Sequence, residues 1–174
     1  MQFAKDSFFL ALQTRLAGVN PARTVVVNGA TVPAVLVVEN LPPFFGEPAP
    51  DTFYIEWGAA SVVEGHARNS ALMSLECLIS YYSLGTVESR VDRGRVLGQM
   101  DEELLTICQP GNTEKQDFTQ APSADLGTKV FWSSPALDET KARGIETNTE
   151  PHEDGRVARA ARLTLYFFSE VTLL

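Results

Sequence analysis

From Ser7 to Ala17 the apolar side chains recur at spacings of three and four, so that Phe8, Ala11, Leu12 and Leu16 share one face of an amphipathic helix. Asp6 or Ser7 is placed to cap its first turn, and Gly18 to end it. The period then changes. Thr24 to Val27 is wholly β-branched, Asn28-Gly29 is a two-residue turn signal and Thr31 to Val38 is largely apolar, which together predict a hairpin. Pro33 has no N–H for a ladder, so its strand is expected at an edge there or beginning just after it. Asp51 to Trp57 predicts another strand, with Phe53, Ile55 and Trp57 on one face. The clearest alternation follows. Met73, Leu75, Cys77, Ile79 and Tyr81 oppose Ser74, Glu76, Leu78, Ser80 and Tyr82, one face buried and the other half polar.

Helical spacing returns from Arg90 to Cys108. Val96 or Leu97, Met100, Leu104 and Ile107 form the stripe, Asp101, Glu102 and Glu103 point elsewhere, and Pro110-Gly111 stops the helix. Thr128 to Ser133 reads as a short strand and Val157 to Val171 as a long closing one. In the latter, Ala161, Leu163, Leu165, Phe167 and Val171 lie opposite Arg162, Thr164, Tyr166, Phe168 and Glu170. This order predicts an α+β domain over residues 1–174, a mostly antiparallel sheet of about five to six strands with two helices packed on it. Extended polar loops are expected at residues 39–51, 58–70, 109–127 and 135–156.

Composition narrows the function. Of 174 residues 44% are hydrophobic and 21% charged, which suits a packed globular domain. The net charge of −8 argues against a partner held by phosphate neutralisation, so no specific nucleic-acid binding is expected. No apolar run reaches membrane-spanning length, and the start lacks a signal-peptide layout, so no membrane association is expected and a reducing cytoplasm is. Cys77 and Cys108 are too few for a disulfide framework or a four-cysteine zinc site, and read as buried thiols.

Candidate chemistry is sparse. The two histidines, His66 and His152, sit in polar stretches without a visible third partner for nucleophilic catalysis. Glu150-Pro151-His152-Glu153-Asp154 reads as a solvated acidic loop in preference to a metal cluster. Arg93-Gly94-Arg95 suits either helix solubility or an anion at a helix start. No catalytic residue, cofactor or metal is expected. Phe44-Phe45, within a segment holding Pro42, Pro43, Pro48 and Pro50, either tucks under the sheet edge or anchors a partner. With Tyr82, Tyr166 and Phe168 on the strand faces opposite the core stripes, these are the candidate interface residues.

Certain features together resemble the tail terminator, or tail-completion, proteins of tailed bacteriophages and prophages. They are the N-terminal helix ending near Gly18, the strand Pro33-Ala34-Val35-Leu36-Val37-Val38-Glu39-Asn40, the alternating strand Leu72 to Tyr82 running on to the helix around Met100 to Cys108, and the closing strand from Arg159 to Val171. The resemblance covers most of the chain in element order and spacing and rests on no diagnostic motif. It implies an α+β subunit of a homo-oligomeric ring, hexameric in the family, that caps the tail tube and joins it to head or neck proteins. It implies no enzyme activity, assembly in the bacterial host cytoplasm and residence in the virion tail. The chain departs from smaller family members in length and in its acidic loop after Pro135, whose six acids and three bases leave a local charge of −3. A neck connector or tail-tube-like protein suits the same elements. A non-phage adaptor or binding module, and a small enzyme, are the alternatives outside the family.

Overall fold

A computed structural model of the protein describes residues 1–41, 48–63, 71–85, 90–138 and 157–169. Helix α1 (Gln2–Val19) is followed by the hairpin β1 (Thr24–Val27) and β2 (Ala30–Pro33), then by β3 (Val35–Val37) and a 3-10 turn at Val38–Asn40. Strands β4 (Phe53–Val62) and β5 (Leu72–Ser83) lead to helix α2 (Arg90–Ile107). Strands β6 (Gly111–Asp117), β7 (Ala124–Trp132), β8 (Ala136–Asp138) and β9 (Val157–Phe168) follow.

The main sheet has the order β3-β4-β5-β9-β7-β6, and β8 pairs with β9 beyond the end of β7. The fold class is α+β, as the sequence pattern predicts, but the sheet is mixed. Strand β3 runs parallel to β4, with Val35 opposite Phe53 and Val37 opposite Ile55. A parallel pair needs a long crossover, and the stretch from Val38 to Thr52 supplies it. Pro33 closes β2 and β3 starts at Val35, so the proline lies where no ladder N–H is needed.

The expected polar loops are partly strand. Most of residues 109–127 belongs to the β6–β7 hairpin, β4 continues to Val62, and β8 occupies the start of the stretch after Pro135. Strand β6, Gly-Asn-Thr-Glu-Lys-Gln-Asp, has no apolar alternation, because at the sheet edge almost all its polar side chains stay half-buried or exposed. Lys115 alone is buried, and its Nζ donates to the Phe168 carbonyl at 2.9 Å.

Helix α1 starts earlier than its apolar stripe suggests and runs through Gly18 to Val19, with Met1 as N-cap and no side-chain cap. Ser7 is therefore inside the helix and does different work. Its Oγ donates to the Phe3 carbonyl at 2.7 Å and accepts from the Gln116 N–H of edge strand β6 at 3.0 Å. At the other sheet edge, Gln13 Nε2 donates to the Val35 carbonyl of β3 at 3.1 Å. One helix thus satisfies backbone groups at both edges of the curled sheet. Phe8, Leu12 and Leu16 lie inside the curl, fully buried with Ile55, Leu75, Ile79, Leu165 and Phe167. Leu97, Met100, Leu104 and Ile107 of α2 join the same cluster, so both helices lie on the inner side of the sheet. No helix among the described residues is long and apolar enough to cross a membrane.

Candidate functional site

Alternation along β4, β5 and β9 sends Tyr54, Glu56, Ser74, Glu76, Leu78, Tyr82, Arg162, Thr164, Tyr166 and Phe168 to the outer face, away from both helices. Three zones divide this face. At one end residues 48–50 cover it: Tyr82 Oη donates to the Pro48 carbonyl, and the Ala49 N–H donates to Tyr54 Oη at 2.7 Å. Burial pushes the Tyr54 hydroxyl up to about 12, partly opposed by its backbone hydrogen bond to Ala49. Tyr82 is only 8% exposed, so it is not the open contact residue expected from its position in the alternation. Prolines cannot continue a ladder, and here the end of the proline-rich segment covers the two rings instead. Phe44 and Phe45 lie outside the described residues, as do His66, His152 and the Glu150–Asp154 stretch.

At the opposite end Phe131 and Tyr166 face each other across β7 and β9, 42% and 38% exposed. Phe168, two residues further along β9, is half-buried. Tyr166 and Phe168 are thus brought to one zone of the face and Tyr82 to another. Phe131 was missed in the sequence pattern because its strand read as too short to show an outer face.

Between these ends lies a cleft of about 490 Å³ whose lining includes Glu56, Glu76, Leu78, Ser133, Ala136 and Arg162. Its floor is a register row across four strands, Glu56–Leu78–Arg162–Ala136. One wall forms where the chain leaves β7. There Thr164 N–H donates to Ser133 Oγ at 3.0 Å, so a side chain replaces a backbone acceptor and lets the strand kink before β8 resumes. Gly58 makes room opposite this wall, since a Cβ there would come within 2.9 Å of Glu76 Cβ. Among the described residues the side chains of Glu56, Glu76 and Arg162 have no hydrogen-bond or ion-pair partner.

The inner side carries two of the charges, Asp101 and Glu103, that helical periodicity sets off the apolar stripe. Glu103 of α2 is buried and pairs with Arg23, while Asn20 Nδ2 and Gln99 Nε2 donate to its Oε1 at 2.6 and 3.0 Å. Asp101 accepts from Tyr81 Oη at 2.5 Å and pairs with Arg159. Both carboxylates are enclosed by donors, which suits structural anchoring. Glu103 lies at the border of the Met100–Leu104–Ile107 stripe, a position that helical spacing alone leaves undecided. Cys77 and Cys108 are buried free thiols; burial pushes Cys77 well up, with Cys108 adding to it, and pushes Cys108 up to about 12 against the opposing charge of Arg15. Among the described residues no group of three or more His, Cys, Asp or Glu side chains is placed to hold a metal ion.

No protein-family model matches this chain, and no curated protein matches it in sequence.

Proposed function

We propose that the protein is a structural ring subunit of a phage-like tail, a tail terminator that caps or completes the tail tube and joins it to head or neck proteins. In this reading it assembles in the bacterial host cytoplasm and stays in the virion tail. The observation that carries the proposal is the outer sheet face, where exposed Phe131 and Tyr166 adjoin a cleft lined by Glu56, Glu76 and Arg162, charges without a side-chain partner among the described residues. Large aromatics beside unpaired charges on a rigid sheet suit a permanent contact better than a free surface. The α+β class and the element order, helix, strands, helix, strands, support the same reading, because the resemblance implies both.

The test is assembly. Light scattering and sedimentation across a concentration series, with negative-stain microscopy of the protein alone and with isolated tail tubes, should show closed rings or subunits seated on tube ends. A protein that stays monomeric up to millimolar concentration and ignores tube ends overturns the proposal, leaving an adaptor that binds some other partner.

A further inference from the structure

The outward face of α2 and the outer face of the sheet are complementary, and we infer that they form the subunit–subunit interface, with α2 of one copy lying across the cleft of the next. This inference rests on the ring-subunit reading above and names its contact.

The stripe of Leu97, Met100, Leu104 and Ile107 turns Arg95, Gly98, Glu102 and Leu105 to the opposite side of the helix. These four follow one another in steps of three, four and three residues, a rise of about 4.5–6 Å each. The cleft floor presents Glu56, Leu78, Arg162 and Ala136 on successive strands, in steps of about 4.8 Å. Laid along that row, Arg95 meets Glu56 with Glu76 close by, Gly98 meets Leu78, Glu102 meets Arg162, and Leu105 meets Ala136. Each charge faces its opposite.

Independent features of the two surfaces agree with this match. Arg95 and Glu102 are exposed and, like Glu56, Glu76 and Arg162, have no side-chain hydrogen-bond or ion-pair partner among the described residues. Gly98 has open space where a Cβ would stand, so nothing among the described residues calls for glycine in this helix. A bare backbone is what allows the helix to settle on the half-buried Leu78. Leu105 is an exposed leucine without a use in the subunit's own core. The two surfaces lie on opposite sides of the sheet, so each copy offers both halves of a head-to-tail contact, the type that closes into rings.

Charge exchange tests this contact, read by sedimentation of the full chain. Arg95→Glu and Glu102→Arg should each weaken association by at least about tenfold, because like charges are then brought together. Glu102→Arg combined with Arg162→Glu should restore it to within about threefold of the original. Gly98→Leu should block association without lowering the thermal transition of the subunit, a pair of readouts that a misfolded variant cannot produce. If the unaltered chain associates and the single reversals leave it unchanged, or the exchanged pair stays weak, this interface is wrong while the ring reading stands. If the unaltered chain never associates, the ring reading falls and the interface with it.

Discussion

Arg23 and Glu103, 80 positions apart in the chain, meet as an ion pair whose side chains are only 8% and 6% exposed. Arg23 Nη2 donates to Glu103 Oε1 at 3.2 Å and Nη1 to the Asp51 carbonyl at 3.2 Å. The guanidinium therefore joins the root of the β1–β2 hairpin, the start of β4 and helix α2 at one point. Removing a single partner strands a buried charge, so Glu103→Leu or Arg23→Leu should cost about 3–5 kcal/mol. The double substitution should cost less than the two singles combined, because it leaves no orphaned charge. Urea denaturation of all three variants gives this comparison, and simple additivity would show that the pair is not coupled.

Phe8 is the equivalent anchor on the apolar side. Its ring meets Trp132 edge-on at 5.2 Å and Trp57 at 6.2 Å, connecting α1 to strands on both sides of the curl. Phe8→Ala should cost about 3–5 kcal/mol, and Leu104→Ala and Leu163→Ala about 2–5 kcal/mol each. Calorimetric transitions provide the check. A loss under about 1 kcal/mol at both leucines is too small for sites that are truly core.

Gly94, like Gly98, stands in the interior of α2 with none of the described residues near its missing side chain. Alanine restricts the unfolded chain and suits a helix better, so Gly94→Ala and Gly98→Ala should each raise the stability of the fold by roughly 0.5–1 kcal/mol. A lowered melting temperature in either variant would contradict the helix boundaries given above.

Alkaline pH should expose the buried acids of the core. The Tyr54 hydroxyl is pushed up to about 12 and the Cys108 thiol to about 12, from ordinary values of 10.0 and 9.0. The unfolded chain releases these protons first, so the stability they contribute is intact below pH 9 and is lost as pH rises from there through 12. Tyr54→Phe should flatten the part of that loss above pH 10. At neutral pH it should cost about 1–3 kcal/mol, because the Ala49 N–H loses its acceptor. Denaturant midpoints across this range decide the matter. By the same burial, a thiol reagent at mildly alkaline pH should label neither cysteine until the chain unfolds, and rapid labelling of the native protein would contradict the packing.

Side-chain periodicity by itself determined both helices, the strands around the alternating run from Met73 to Tyr82, and the membership of the core. Leu75, Ile79, Leu104, Leu163 and Leu165 are all buried where the pattern puts them. Burial of one face leaves a period in the sequence, and that period needs no partner to be read. Edge strand β6 escapes the same reading, since it carries no large apolar side chain and so has no apolar period to display.

Other features were decided only by tertiary structure. Pairing β3 with β4 in parallel, rather than continuing the β1–β2 hairpin, depends on where the chain returns after Asn40. The fate of Tyr82 depends on Pro48 arriving above it, 34 positions away. Glu103, on the border of an apolar stripe, is buried because Arg23 and Asn20 come from elsewhere in the chain to meet it. The outer-face row Glu56–Leu78–Arg162–Ala136 draws one residue from each of four strands. Local sequence records which way a side chain points; which distant group lies across from it is set only when sheet register brings the strands together.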